Sequence, residues 1–210
     1  MRKINVPLYV AAFLITTAIF AAGIYVGLVI EQEAAKSIYA SLEKSTQRIA
    51  NAQLMFLLED SPSFCGVYEE DLEKVFEEAD ILGKELEYLE KQKQVYDPDL
   101  KNKYFALELR NYLMAKKVKD VCGGNFSLAL YFYSSNCTEC ERQGEELTSA
   151  RDITGWRLKV FSFDGSSKSS IVDALKKEYN ISAYPTIIID EKHVLTGFKK
   201  AEEIVEKVGR

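Results

Sequence analysis

The chain has 210 residues, of which 47% are hydrophobic and 28% are charged, and its formal net charge is −5. This is the composition of a folded protein, and the length allows one compact domain plus a substantial further region. A net negative chain without a long basic run does not attract a phosphate backbone, so we expect no nucleic-acid partner.

The first predicted element is an uncharged segment of about 27 residues, from 4 to 30. About 20 apolar helical residues cross a bilayer, whereas the apolar core of a cleaved signal peptide runs only about 7–15 residues. The sequence therefore predicts an uncleaved transmembrane anchor at 1–30, with a signal peptide cleaved near Ala22 as the alternative. A buried helix of a soluble protein fits poorly, because the segment has no polar face.

The charges that flank this segment predict its orientation. Arg2 and Lys3 precede the segment, and Glu31 and Glu33 follow it. Basic residues stay on the cytoplasmic side, so we expect a single-pass protein of the cell membrane with a cytoplasmic N-terminus. The C-terminal domain would then lie outside the cytoplasm, where cysteines persist as disulfides.

The sequence predicts a helical region at 31–121. Apolar residues recur at helical spacing over 31–59, 66–94 and 98–119, and prolines fall at the boundaries between these segments. The first of these helices can continue the membrane helix outward. Because the region contains no metal-ligand or nucleophile–base pattern, we assign it a stalk or docking role.

Two cysteines bracket the second and third predicted helices. Cys65 precedes one helix and Cys122 follows the other. Helices of roughly 28 and 22 residues are about 42 and 33 Å long at 1.5 Å per residue, so in an antiparallel hairpin their outer ends can meet. We predict a structural disulfide between Cys65 and Cys122, which requires Cα atoms within about 7 Å, with two buried free thiols as the alternative.

The last ninety residues or so predict alternating strands and helices. The apolar, aromatic-rich run at 126–133 suits a strand buried on both faces. Further strands are predicted at 158–163, 187–190 and 193–198. Helices are expected at 141–151, from Ser170 with Asp173 completing a capping box, and at 200–208. The order β-α-β-α-β-β-α places Cys137 and Cys140 directly after the first strand.

A C-x-x-C pair can be a redox dithiol, half of a metal site, or two unrelated thiols. Zinc usually takes four cysteine or histidine ligands. Here the four cysteines would have to come from distant segments, and His193 is the single histidine. We therefore expect no metal site, and we expect His193 to be a surface residue.

Residues 124–209 resemble the thioredoxin superfamily, and in particular domains of protein disulfide isomerases. The resemblance rests on the strand–Cys137-x-x-Cys140–helix junction, on Tyr184-Pro185-Thr186, and on the closing β-hairpin and helix. It implies a thioredoxin-like α/β domain at 122–210, a central mixed sheet with flanking helices, preceded by the transmembrane helix and the helical region. It also implies that Pro185 is cis and faces the dithiol, and that Tyr184 and Thr186 line a substrate groove.

The resemblance further implies thiol–disulfide exchange, which needs no cofactor. Cys137 would lie at a helix N-terminus, where free N–H groups and the helix dipole stabilise a thiolate, so it is the expected nucleophile. Cys140, one turn further on, is the expected resolving cysteine. The expected partners are extracytoplasmic protein thiols and disulfides, together with an electron-transfer or docking partner in the membrane.

The sequence departs from the thioredoxin pattern around the dithiol. Thioredoxins commonly carry Trp before the first cysteine and Gly-Pro between the two, where this chain has Asn136 and Thr138-Glu139. Their buried acid in the preceding strand falls on Tyr131 here, and 126–133 contains no acid. Oxidase, reductase and isomerase therefore all stay open, and a non-catalytic thioredoxin-like scaffold of a membrane complex is the alternative.

Overall fold

The computed structural model describes residues 6–58, 65–93 and 96–209. Contacts divide the chain into two compact units, Met1–Ser41 and Leu42–Arg210. The helices and strands of the described residues are, in chain order, α1 (Val6–Leu58), α2 (Cys65–Gln92), α3 (Pro98–Cys122), β1 (Ser127–Tyr133), α4 (Thr138–Ile153), β2 (Leu158–Asp164), α5 (Ser170–Glu178), β3 (Thr186–Ile189), β4 (His193–Thr196) and α6 (Ala201–Val205).

Helix α1 joins two predicted elements into one helix of 53 residues. Its segment Pro7–Gly27 has a mean hydropathy of 2.0 and exposed side chains, and it is long and apolar enough to cross a membrane. A signal sequence near an N-terminus also satisfies this test of length and apolar composition. The final residue of the predicted range 31–59 lies outside the described residues, as does residue 94 at the end of the next predicted helix.

Local sequence sets the two ends of α3. Asp97 caps the N-terminus, because its carboxylate accepts the N–H groups of Asp99 and Leu100 at 3.0 and 3.1 Å. Gly123 ends the helix in the left-handed conformation (φ 71°) and donates its N–H to the carbonyl of Lys119. The helix therefore runs to Cys122, three residues beyond the predicted end at 119.

Helices α2 and α3 form the predicted hairpin. A disulfide joins Cys65 to Cys122 across its open end, with the two Cα atoms 5.6 Å apart. Along α2 a stripe of buried apolar side chains faces inward, consisting of Leu72, Val75, Ala79, Leu82, Leu86 and Leu89. The helical periodicity of the sequence thus corresponds to a buried face.

The four strands form one mixed sheet in the order β2-β1-β3-β4. Strand β1 is parallel to β2 and antiparallel to β3, and β3 is antiparallel to β4. One face of the sheet packs on α3 and α5 through residues such as Phe132 and Phe163. The opposite face packs on α4 and α6 through residues such as Ala129 and Ile187. This mixed sheet with flanking helices confirms the predicted thioredoxin-like fold.

Helix α3 is part of the same core as the sheet. Its side chains Phe105 and Tyr112 are buried against strand residues of β1 and β2, and the compact unit that contains the sheet begins at Leu42. Helix α3 and the sheet thus share one core across the predicted boundary between 121 and 122. The division into three regions at 30 and 121 stays a prediction.

Several element boundaries differ from the predicted ones. Helix α4 begins at Thr138 rather than 141, because Cys137 is already its N-cap. The capping box predicted at Ser170 and Asp173 is wrong, since Ser170 is the first helical residue and the N-cap is Ser169. Strand β3 ends before Asp190, whose φ of 50° is incompatible with an extended strand.

The last two predicted elements are shorter than expected. Strand β4 ends at Thr196 rather than at 198, because Gly197 turns the chain with φ 75°. Helix α6 covers Ala201–Val205 within the predicted range 200–208. His193 opens β4 and is exposed, as expected.

Candidate redox site

The dithiol lies where β1 passes into α4. Cys137 and Cys140 form a disulfide with Cα atoms 5.2 Å apart. The Cys137 Sγ atom caps α4, because it accepts the backbone N–H of Cys140 at 3.1 Å. A thiolate at this position would face the free N–H groups and the positive end of the helix dipole, both of which lower a thiol pKa.

The two cysteines differ in exposure. Cys137 is half-buried at the surface, whereas Cys140 is 4% exposed. Thiol–disulfide exchange requires the incoming sulfur to reach the sulfur that it attacks. From outside the molecule Cys137 is therefore the more accessible of the two sulfurs, and the roles of Cys137 as nucleophile and Cys140 as resolving cysteine stay predictions.

Tyr131 occupies the position where thioredoxins carry a buried acid. Its hydroxyl donates to the carbonyl oxygen of Cys140 at 2.7 Å, and its ring stacks on Tyr133 with centroids 5.7 Å apart. Burial raises the pKa of Tyr131 above its ordinary value, so the phenol stays protonated. The residue therefore holds the first turn of α4 in place instead of supplying a carboxylate.

Pro185 lies at the same end of the sheet as the dithiol. The peptide bond between Tyr184 and Pro185 is cis, and Pro185 is buried. Strand β3 starts opposite the end of β1, since Thr186 pairs with Phe132. The chain leaves β1 toward Cys137 at that end, so the proline loop and the C-x-x-C loop are neighbours.

The side chains on either side of Pro185 are both held by backbone carbonyls. The Tyr184 hydroxyl donates to the carbonyl of Gly165 at 2.9 Å, and the Thr186 hydroxyl donates to Ala183 at 2.8 Å. Thr186 is buried and Tyr184 is half-buried. These contacts fix the shape of the proline loop, and a role of both residues in a substrate groove stays a prediction.

Helix α2 contributes charge beside the dithiol, which the sequence did not indicate. Lys91 donates to Glu141 at 2.8 Å, and this hydrogen bond holds the pKa of Glu141 below its usual range. Glu141 lies in the first turn of α4, where its ionised form also interacts favourably with the helix dipole. Nothing in the sequence spacing links 91 to 141, because the contact depends on how the hairpin packs.

A second feature missed at the sequence level is a buried acid on α3. Glu108 on α3 accepts hydrogen bonds from the Ser162 N–H at 3.2 Å and from the Tyr104 hydroxyl. Burial raises the pKa of Glu108 to about 8 despite these bonds. The side chain lines a cavity of about 1110 Å³ whose wall also contains Cys140. A polar residue within a helical pattern normally predicts a solvated face, so no sequence signal singles it out.

Comparison with known proteins gives likenesses of structure only. No family model matches the sequence, and no curated protein matches it. Thioredoxin-2, a component of malaria parasite protein secretion machinery, is 22% identical with a TM-score of 0.33, and the match covers 40% of this chain and 86% of that one. Chloroplastic thioredoxin z is 23% identical with a TM-score of 0.34 (44% and 83% covered), and StoA from Bacillus subtilis is 19% identical with a TM-score of 0.32 (39% and 81% covered). The fold assignment rests on the strand order and register described above.

Proposed function

We propose that this protein is a membrane-anchored thiol–disulfide oxidoreductase that acts on extracytoplasmic protein thiols and disulfides. The observation that carries the proposal is the placement of one disulfide at the N-terminus of α4, with Cys137 accessible and Cys140 buried. The apolar, exposed segment Pro7–Gly27 supports the anchor, and Arg2 and Lys3 support a cytoplasmic N-terminus.

The proposed exchange proceeds in two displacements. When the protein reduces a partner, the Cys137 thiolate attacks a partner disulfide, which forms a mixed disulfide and releases one partner thiolate. The Cys140 thiolate then attacks the Cys137 sulfur, so the partner's second thiolate leaves and the Cys137–Cys140 disulfide closes. Two electrons pass to the partner, and the reverse sequence oxidises a partner dithiol. The N-terminus of α4 favours the Cys137 thiolate as attacking and leaving group in both directions.

Pro185 supports the docking of an extended partner segment. Proline has no N–H group, so Pro185 donates no backbone hydrogen bond. Its carbonyl oxygen accepts the Gly197 N–H at 2.8 Å within the hairpin. The strand that follows the proline loop starts opposite the end of β1, from which the chain continues to Cys137. We infer that a partner backbone lies between this loop and Cys137.

Serine variants of the two cysteines test the proposal. In the full chain in detergent, Cys137→Ser should abolish turnover in insulin-reduction and scrambled-substrate assays, because the accessible sulfur is lost and the remaining Cys140 is buried. Cys140→Ser should instead accumulate mixed disulfides, since the second displacement is missing. The matched control is the Cys65→Ser/Cys122→Ser pair, which removes the other disulfide and should retain exchange wherever the fold is retained. Unchanged turnover in Cys137→Ser would favour the non-catalytic scaffold.

The direction of electron flow follows from the resting state of the dithiol. Thiol trapping in isolated membranes measures the fraction of Cys137–Cys140 that is oxidised. A mostly oxidised pair favours an oxidase or isomerase, and a mostly reduced pair favours a reductase supplied by a membrane electron carrier.

A further inference from the structure

A buried amide on α4 binds the backbone of the segment that follows β4. Gln143 is 0% exposed and lies one helical turn after Cys140. Its Nε2 group donates to the carbonyl of Lys199 at 3.0 Å, and its Oε1 atom accepts the Lys199 N–H at 2.7 Å. Because a primary amide carries a donor and an acceptor side by side, Gln143 pairs with Lys199 as a neighbouring strand would.

Two neighbours of Gln143 on α4 hold the same segment. The Arg142 guanidinium carbon lies 4.4 Å from the centroid of the Phe198 ring, and the Glu146 carboxylate accepts the N–H of Ala201 at 2.7 Å. Arg142 is exposed and Glu146 is half-buried, whereas Gln143 is fully buried. A lost hydrogen bond is least readily replaced by water at a buried residue, so Gln143 is the strongest of these ties between α4 and the segment.

The other end of this segment is bonded to the proline loop. Gly197 turns the chain after β4 with φ 75°, and its N–H donates to the carbonyl of Pro185 at 2.8 Å. Gly197 and Lys199 are only two residues apart, so a displacement of one is passed to the other over a short stretch of backbone. Residues 197–199 therefore form a bridge, held by Gln143 at one end and by Pro185 at the other.

The 197–199 bridge is a second route between the dithiol helix and the proline loop. The first route runs through the sheet, where Thr186 pairs with Phe132, and then along 134–136, whose side chains are half-buried or exposed. Cys137 is the N-cap of α4, so a tilt of this helix moves its sulfur relative to Pro185. Because the bridge runs directly from α4 to the carbonyl of Pro185, it constrains the separation of Cys137 and Pro185.

We propose that Gln143 is a positioning residue for exchange with protein partners, which holds α4 and the cis-proline loop at the separation that an extended partner segment requires. This inference rests on the thiol–disulfide exchange proposed above, and Gln143 acts in it through Lys199 and touches neither sulfur. A small disulfide needs only the Cys137 sulfur, so its reaction does not depend on the bridge. A peptide disulfide must also fit between α4 and the proline loop, so misplacement of either one weakens its binding.

Two disulfides that share one small thiol separate these requirements. The first is 2-hydroxyethyl disulfide, and the second is a short extended peptide whose central cysteine carries 2-mercaptoethanol in a disulfide. With the reduced full chain in detergent, the Cys137 thiolate displaces one thiolate from either substrate, and Cys140 then displaces the other. Each substrate gains two electrons as the Cys137–Cys140 disulfide forms. Thiol trapping at increasing substrate concentration gives the second-order rate constant and the half-saturating concentration.

Gln143→Leu removes both hydrogen bonds to Lys199 at a similar side-chain size. We expect its rate constant with the peptide disulfide to fall about tenfold or more, through a higher half-saturating concentration, and its rate with 2-hydroxyethyl disulfide to stay within about twofold of the wild type. Ile204→Val is the matched control, because it loosens the buried packing between α4 and α6 without touching the bridge, and it should change neither rate. An unchanged peptide rate in Gln143→Leu, or equal losses with both disulfides, would overturn the positioning role.

Gln143→Glu tests the same bridge in a variant that keeps a polar side chain. A protonated glutamic acid donates and accepts as glutamine does, whereas its ionised form cannot donate to the Lys199 carbonyl. Since burial raises the pKa of a carboxyl, we expect the ratio of the peptide rate to the small-disulfide rate to be low at about pH 8 and to recover at about pH 5.5. The charged groups at neighbouring positions, Arg142, Glu146 and Lys199, are the same in the wild type, which is measured at both pH values as the reference. A ratio without any recovery at the lower pH would contradict the bridge.

The wild type alone separates a failure of this inference from a failure of the proposed function. A wild type that reduces neither disulfide would refute thiol–disulfide exchange at Cys137, and the positioning role with it. A wild type that reduces only 2-hydroxyethyl disulfide would refute the docking of an extended segment and leave the redox dithiol intact. When the wild type reduces both substrates and Gln143→Leu matches it, only the role of Gln143 is refuted.

Discussion

Gly165 has room for a hydrogen atom but not for a methyl group. A Cβ atom at this position would overlap the ring of Tyr184, closer than real Cβ atoms approach their neighbours. Gly165 also forms hydrogen bonds to the end of β1 and to the proline loop. Its N–H donates to the Tyr133 carbonyl at 2.7 Å, and its own carbonyl accepts the Tyr184 hydroxyl. The missing side chain is thus what lets the Tyr184–Pro185 loop lie against the end of β1.

Gly165→Ala is expected to destabilise the protein by about 1–3 kcal/mol, the usual cost of overpacking. Displacement of Tyr184 should also shift the proline loop and slow exchange at Cys137. Urea unfolding and the insulin assay measure the two effects. Gly144→Ala is the matched control, because a Cβ atom there meets nothing within 4 Å in the middle of α4. Alanine should stabilise that helix by up to about 1 kcal/mol, and equal losses in both variants would contradict this account.

Glu108 makes stability depend on pH. Burial raises its pKa from 4.5 to about 8 in the folded protein, so the unfolded chain loses this proton at lower pH than the folded chain does. Protonated Glu108 therefore makes its full contribution to the free energy of unfolding below pH 4.5. This contribution declines as the pH rises towards 8 and is lost above that pH. At 1.36 kcal/mol per pKa unit the decline amounts to roughly 3–5 kcal/mol.

Glu108→Gln should remove this decline, because glutamine stays neutral at every pH. Urea unfolding of the full chain in detergent at pH 5 and pH 8 measures the difference. Glu77→Gln, at an exposed position of α2, should leave the pH dependence of the wild type. An unchanged pH dependence in Glu108→Gln would show that another group is responsible.

At the scale of elements, the disulfide between Cys65 and Cys122 fixes the open end of the α2–α3 hairpin. Its sequence separation of 57 residues gives a loss of about 4 kcal/mol on removal in the chain-entropy model. We expect Cys65→Ala/Cys122→Ala to lower the free energy of unfolding by about 4 kcal/mol. Cys137→Ala/Cys140→Ala, with a separation of three residues, should lose less than half as much. Equal losses in urea unfolding would contradict a loop-length effect.

Sequence patterns predicted the elements well where burial follows a single period. The apolar run at 126–133 became β1 because both faces of that strand are covered, and the stripe on α2 became its buried face. Helix α3 does not show a single buried stripe, because one side of the helix packs on the sheet and another side packs on α2. Glu108 and Asn111 are therefore buried at positions that a single-stripe helix would expose.

The redox site was predictable in part for a similar reason. Cys137, Cys140 and Pro185 lie in motifs that are contiguous in sequence, so local spacing identified them. Lys91 reaches Glu141 beside the motif from α2 through tertiary packing. The 50 residues between Lys91 and Glu141 along the chain conceal this closeness in space.

At the scale of the whole molecule, the apolar segment of α1 predicts where the protein resides. We expect the full chain to stay with membranes after alkaline extraction, because about 20 apolar residues at Pro7–Gly27 resist release. A chain that begins at Leu42, the start of the second compact unit, should be recovered in the soluble fraction. Protease added outside intact cells should digest the C-terminal domain. A mature N-terminus near residue 22, found by mass spectrometry, would indicate a cleaved signal peptide instead.

The two disulfides also impose a demand on maturation. Four cysteines allow three pairings, and only one of them gives both the Cys65–Cys122 clasp and the Cys137–Cys140 dithiol. A bond between Cys122 and Cys137 would close a short loop across the α3–β1 junction and would use up the attacking sulfur. A mispaired copy would therefore lack the Cys137–Cys140 dithiol, so the exchange proposed for this protein depends on correct pairing of all four cysteines.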